Sequence, residues 1–338
     1  MLASKHRDTS RENFMANSAI KEQSTRPFFL EKVLAQFTQR FSKPSAELLS
    51  VRCISKIQLI KQLVLIRDEL EFPGHKRTSG SSILLHLEQS GLVHPVASMN
   101  PKTKEIEDKF YVIGIESGVS TVSPIELLQA QESKGVVCYF TALEFYGMTT
   151  QIPSHHHIAV LGASSPNLRN KDTKKELIGS LKPGRNYDPL GTKRFIFEDV
   201  PYYVTNRDKK LVPGIQERYL DEKSIFRITS YDQTLLDTLH RPISCGGPSV
   251  VFEAWHSAFD RLSSNLIYEY LSKINSSELS RRVGYMLQVI DYKVDGKISE
   301  LFDSIKASIP REDSESIISL LPGFDYSELN EEWFLKVP

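Results

Sequence analysis

Apolar residues in the first third of the chain recur at helical spacing before they settle into alternation. From Phe28 to Phe41, Phe29, Val33, Phe37 and Phe41 return every four residues, with Leu30 and Leu34 on adjacent rows, so one face of a helix is apolar. Ser42-Lys43-Pro44-Ser45 breaks that pattern. A second apolar-periodic run, Ala46 to about Ile54, predicts another helix. A third, Ser55 to about Leu70, carries Ile57, Ile60, Leu63 and Val64 on one stripe and stops at Pro73-Gly74. The segment from His75 to Ser82 is polar and basic and leads into Ile83-Leu84-Leu85-His86-Leu87. This predicts a helix with a basic start, Thr78 or Ser79 as N-cap and Gly91 as the stop. Leu92 to Val96 and Phe110 to Ile115 read as two strands of a hairpin, turning at Asn100-Pro101-Lys102-Thr103-Lys104.

Helix, helix, basic-started helix and hairpin is the order of a winged helix-turn-helix over 28–117. Such a module offers the first turn of its recognition helix to the major groove, where short polar and basic side chains meet base edges. Arg77, Ser79, Ser81 and Ser82 are candidates for groove contact, with Thr78 beside them and Lys76 placed on phosphate. Lys102 and Lys104 at the hairpin tip are candidates for the flanking backbone. A winged helix serving as a protein-docking surface is the alternative.

Beyond Gly118–Pro124, the pattern predicts helix 125–133, strand 135–139, helix 141–146, a buried strand at 158–161, and strands at 194–204 and 225–228. Residues 229–291 read as mostly helical, and a charged helical piece is expected at 171–181. The reading is therefore α+β, with a mixed α/β domain at 118–295. The first 27 residues read as a disordered tail, and 296–338 as an acidic helical extension.

Composition refines this picture modestly. The 338 residues balance 42 Lys and Arg against 42 Asp and Glu. The balance is uneven: residues 1–118 hold 17 basic against 13 acidic, and 298–338 hold three against nine. A mildly basic front half tolerates a polyanion. No apolar run is long enough for a membrane helix and no secretory signal opens the chain. Cys53, Cys138 and Cys245 are far apart, which predicts reduced thiols in a cytoplasmic protein.

Three segments of the second half resemble the AbiEi family of type IV antitoxins. Tyr139-Phe140-Thr141-Ala142-Leu143-Glu144-Phe145-Tyr146-Gly147-Met148-Thr149 with Gln151-Ile152-Pro153 is similar to that family's Y-x-S-A-L-x-L-H-G-L-T-x-Q-x-P segment. Thr229 to Leu239 with Gly246-Gly247 resembles T-P-E-R-A-L-L-D-x-L and its glycine turn, although Tyr231-Asp232 replaces Pro-Glu. Arg281-Arg282-Val283-Gly284-Tyr285-Met286-Leu287 resembles R-R-L-G-x-L-L. The resemblance implies an antitoxin that represses its own operon by binding inverted repeats in duplex DNA, as a dimer or cooperative pair. It also implies that the later domain counteracts a nucleotidyltransferase-like toxin. Arg281 and Arg282 either pair with internal carboxylates or face nucleic acid or a partner. A protein-interaction subunit of a phage-defence assembly is the alternative function.

Signals for catalysis are sparse. The chain has no G-x-x-x-x-G-K-[ST], G-x-G-x-x-G or G-x-S-x-G motif. Gly179-Ser180 is followed by Asp188, but Leu190 stands where a nucleotidyltransferase needs its second carboxylate. His155-His156-His157 lacks acidic or thiol partners at ligand spacing and reads as polar strand surface. The expectation is a non-enzymatic protein with no cofactor and no metal.

Overall fold

The computed structural model describes residues 27–45, 48–72, 74–114, 122–162 and 190–338. The fold is mixed α+β. It divides into two compact units, one drawn from residues 1–97, 108–122 and 221–224 and the other from 98–107, 123–220 and 225–338.

The first unit runs α1 (27–40), β1 (Cys53–Ser55), α2 (Lys56–Leu70), α3 (Gly80–Gln89) and the larger parts of β2 (Val93–Met99) and β3 (Ile106–Ile113), whose residues 98–99 and 106–107 belong to the second. Phe29, Val33 and Phe37 of α1, Leu59, Leu63 and Ile66 of α2, and Ile83, Leu84 and Leu87 of α3 share one core. The buried face of α2 differs from the predicted stripe: only Leu63 of it is buried, Ile60 and Val64 are half-buried, and Ile57 is exposed. The helix expected over 46–54 does not form. Residues 48–52 are irregular and Cys53–Ser55 pairs antiparallel with Phe110–Val112. Val51, Cys53 and Ile54 are all buried, so ladder pairing and packing override the local helical period. Ser55 then caps α2 by accepting from the Gln58 N–H.

At the α2–α3 crossing, Gly80 lies so close to Ile60 that a Cβ there would stand 2.9 Å from its γ-methyl and 3.0 Å from its carbonyl oxygen. Arg67 of α2 donates to the Thr78 carbonyl at 2.8 Å, tying the start of α3 to α2. His75, expected in the exposed basic start, is instead buried and stacked on Phe29 at 4.4 Å.

The second unit is built on strands ordered β6-β7-β5-β4-β9-β8, where β4 is Val136–Val137, β5 His156–Gly162, β6 Thr192–Phe197, β7 Val200–Asp208, β8 Ile215–Asp221 and β9 Ser224–Thr229. The single strand expected at 194–204 is a hairpin. Glu198 and Asp199 both take positive φ (48° and 63°), the conformation that lets two residues close an antiparallel pair. Helices α4 (Pro124–Gln131), α5 (Phe140–Phe145), α6 (Tyr231–His240), α7 (Pro248–Ser257), α8 (Ser264–Ile274), α9 (Ser277–Val289) and α10 (Gly296–Ser308) accompany the sheet. The 1–26 tail and the helical piece at 171–181 lie outside the described residues, as do Gly179-Ser180 and Asp188.

The acidic extension is only partly helical. After α10 the chain forms a three-stranded sheet, ordered β10 (Ile318–Ser319), β12 (Leu335–Val337) and β11 (Glu328–Asn330). Leu320, Leu321, Trp333 and Leu335 are buried in the same core as Val283 and Met286 of α9. Gly284 has no side chain because the Trp333 indole occupies that space. Gly284→Ala would force a methyl into the ring. We expect a loss of roughly 2–3 kcal/mol in chemical denaturation, together with faster proteolysis within 310–338.

Candidate functional site

The start of α3 is an exposed polar feature of the first unit. Ser79 is the N-cap and accepts from the Ser82 N–H at 3.1 Å, while the two hydroxyls lie 2.9 Å apart. Lys76, Arg77, Ser79, Ser81 and Ser82 are exposed, and Thr78 is half-buried with its carbonyl held by Arg67. Ser79 thus spends its oxygen on the cap, which leaves Ser81 as the freer hydroxyl. Further along the same outward face stand Leu85, 54% exposed, and Gln89. Neither was singled out from sequence, although both follow from Ser81 and Ser82 by helical spacing. The outward turn therefore carries two cations, short hydroxyls, free helix N-terminal N–H groups and one apolar side chain. That set can meet phosphates, base edges and a thymine methyl.

The hairpin tip belongs to the second unit by its packing. Asn100 closes it, accepting through its side chain from the Lys102 and Thr103 N–H groups at 3.0 and 3.4 Å. Lys102 and Lys104 are exposed there, and Lys104 takes φ +64°.

Arg281 and Arg282 are each only 5% exposed. Arg281 donates to the carbonyls of Trp333, Ser316 and Phe334, and Arg282 to that of Ser319. They pin the C-terminal sheet onto α9, so both are internal rather than outward, and their acceptors are backbone carbonyls in place of the expected carboxylates. Burial lowers both guanidinium pKa values, that of Arg282 to about 10.

The second unit also holds a dense polar cluster that sequence reasoning missed. Arg207 of β7 forks onto Asp237 of α6, with both N–O distances 2.8 Å and both side chains buried. Gln233, one turn earlier, donates to the same carboxylate at 2.9 Å. Burial alone would lower the Arg207 pKa, but Asp237 overrides this and holds the guanidinium charged. Tyr139, between β4 and α5, takes φ 57° and ψ −132°, a strained backbone for a non-glycine residue. Its ring lies 5.0 Å from the Arg207 guanidinium and 5.6 Å from that of Arg241.

The histidine run is interior rather than polar surface. His155, His156 and His157 are 7%, 5% and 0% exposed. His157 stacks on Tyr203 at 5.3 Å, and neither of its ring nitrogens has a hydrogen-bond partner. His156 lies 3.2 Å from the Thr141 hydroxyl, and His155 lies 3.2 Å from the Ser244 carbonyl. Burial lowers the His156 pKa to about 4 and drives those of His157 and His240 well below the usual range. Burial likewise raises the Cys138, Tyr139 and Cys245 pKa values, which keeps these three groups neutral. Among the described residues no group of three or more His, Cys, Asp or Glu is arranged to hold a metal ion.

No protein-family model matches the chain, and no curated protein matches it. Among solved structures it is similar to the RV2827C protein from Mycobacterium tuberculosis. Identity is 12% over 91% of each chain, with a TM-score of 0.46. A likeness at that level carries no argument about function. No described helix is long and apolar enough to cross a membrane.

The depressed histidine values set a pH dependence. The unfolded chain protonates these rings below about pH 6.5, whereas the folded chain does not. Stability is therefore fully present above 6.5 and drains as pH falls toward 4, by at most about 1.4 kcal/mol per unit for each histidine. Thermal midpoints between pH 7.5 and 4.5 check this. In His157→Phe, which keeps the stack on Tyr203, the acid loss should be shallower.

Proposed function

We propose that the first unit is a winged helix that reads duplex DNA, and that the chain is an antitoxin-type autorepressor of the AbiEi kind. One observation carries the reading. The order α1-β1-α2-α3-β2-β3, with β1 antiparallel to β3, leaves the capped basic start of α3 outward. That is the arrangement in which a recognition helix presents its first turn to a major groove. On this reading Lys76 lies on phosphate and Arg77, Ser81 and Ser82 face base edges, with Leu85 and Gln89 behind them. Two copies occupy paired half-sites. The role against a nucleotidyltransferase-like toxin rests on the three AbiEi-like segments and falls to the second unit.

Leu85 favours one competing reading, in which the same face docks a protein, since an exposed leucine suits an apolar partner pocket. The two separate on specificity and salt. Fluorescence anisotropy of the full chain on duplex from upstream of its own reading frame should show binding at least about 10³-fold tighter than on unrelated duplex. Its logarithm should fall linearly with log salt. Equal affinity for both duplexes would remove the autorepressor reading.

A further inference from the structure

Strand β8 is the outer strand at one end of the second unit's sheet, bonded to β9 on one side only. Ile215, Glu217, Arg218 and Tyr219 are exposed, Tyr219 by 73%. Apart from the ladder with β9, no backbone N–H or C=O of 215–220 has a partner among the described residues. A row of free backbone groups is a template for another strand. The devices that usually blunt such an edge are missing. Ile215–Asp221 holds no proline and no lysine. Its charges are turned back onto their own chain: Glu217 pairs with Arg227 of β9 at 3.1 Å, and Arg218 donates to the Gln216 amide oxygen.

The side chains of this edge fit a second copy of itself. When two identical strands join antiparallel in one continuous sheet, opposite residues share a face, so the two-fold axis must set one residue against its own copy. The centres within one residue of the strand's midpoint are Glu217, Arg218 and Tyr219. Centring on Arg218 opposes two guanidiniums that no carboxylate of β8 or β9 neutralises. Centring on Tyr219 sets Glu217 against Asp221, acid on acid, at both ends of the junction. Centring on Glu217 sets Ile215 against Tyr219 and Gln216 against Arg218, again at both ends. Aromatic and β-branched side chains stabilise each other across strands, and the Gln216–Arg218 hydrogen bond made within a strand can equally be made between strands. The like-charge contact of this register, Glu217 on Glu217, is flanked by the Arg227 of each copy.

We propose that β8 is a self-association surface, at which two copies of the chain join their sheets antiparallel about a two-fold axis at Glu217. The pair would supply the two copies that paired half-sites need, but the inference stands without DNA binding and is tested in its absence.

Sedimentation equilibrium of the full chain without DNA should show a monomer–dimer equilibrium at concentrations up to about 100 µM. Tyr219→Lys puts a charge on the edge opposite Ile215 of the other copy, at both ends of the junction. It should weaken dimerisation by about tenfold and leave the thermal midpoint unchanged, because the side chain is exposed. Cysteine variants fix the register and decide the matter even if the lysine variant shifts the midpoint, since the three native thiols are buried. Glu217→Cys sets its two Cα atoms about 4.5–5.5 Å apart and should form an intermolecular disulfide on oxidation. In Arg218→Cys the corresponding atoms lie about 8 Å apart, beyond disulfide reach, so crosslinking should be at least about tenfold slower. A monomer throughout, dimerisation unaffected by Tyr219→Lys, or equal crosslinking at 217 and 218 would overturn the assignment.

Discussion

Replacing Lys76 and Arg77 together by alanine should weaken binding to the upstream duplex by about 10²-fold near physiological salt and leave the thermal midpoint unchanged. Both side chains are exposed and neither makes an ion pair among the described residues, so the fold loses little with them. Each phosphate contact contributes about 0.9 to the slope of log affinity against log salt, so the double variant should lower that slope by about 2 if both groups lie on phosphate. If Arg77 reads a base as assigned, the slope falls by about 1, and discrimination at one base pair drops by about 1–3 kcal/mol. An unchanged affinity would mean that the start of α3 is not the contact surface. Ser81→Ala should cost less, since one neutral hydrogen bond contributes only about 1 kcal/mol.

The largest stability effect should come from Asp237. Asp237→Ala leaves the Arg207 guanidinium and the Gln233 amide buried without their acceptor, which costs about 3–5 kcal/mol. Chemical denaturation followed at the tryptophans reads it well, because Trp255 is buried in the same core and donates to Thr238, the residue after Asp237. Removing both charges in Arg207→Met/Asp237→Leu should recover much of that loss, since well-packed apolar pairs often equal buried ion pairs. If the single variant proves neutral, the pair is not the desolvated contact described here.

The parts of the fold legible in the chain were those governed by local period and local capping. Helix α1 follows from Phe29, Val33 and Phe37, and α3 from Ser79 and the apolar body behind it. The hairpin turn at 100–104 was marked by Asn100-Pro101. What failed was decided by residues distant in sequence. Strand β1 exists because Phe110–Val112 lies alongside it. The β6–β7 turn is made by Glu198-Asp199, which carries none of the usual Asn-Gly signal. Strand β8 was not expected at all, its exposed pattern of Gln216, Glu217, Arg218 and Tyr219 giving no clean alternation.

The candidate site divides the same way. Exposure of Lys76, Arg77, Ser79, Ser81 and Ser82 follows from a basic stretch before an apolar helix body, whereas the half-burial of Thr78 and the burial of Gly80 come from contact with α2. The partner of Asp237 is thirty residues away on another element, and nothing near Arg207 announces it. The histidine run was misjudged because three consecutive imidazoles look polar, whereas Tyr203, Tyr139 and Phe140 enclose them once the strands assemble. For Arg281 and Arg282 the sequence leaves an internal and an outward role open, and their actual partners, backbone carbonyls between residues 316 and 334, are too distant in sequence to be read from it.

The placement of α3 in a groove can be measured directly. Cys53, Cys138 and Cys245 are all buried, so a cysteine at Ser81 can be labelled selectively with an iron chelate and the full chain bound to its upstream duplex. The account predicts strand cleavage centred within each half-site, at positions one helical turn or a multiple of it apart. Retained binding with no cleavage from that label would contradict it.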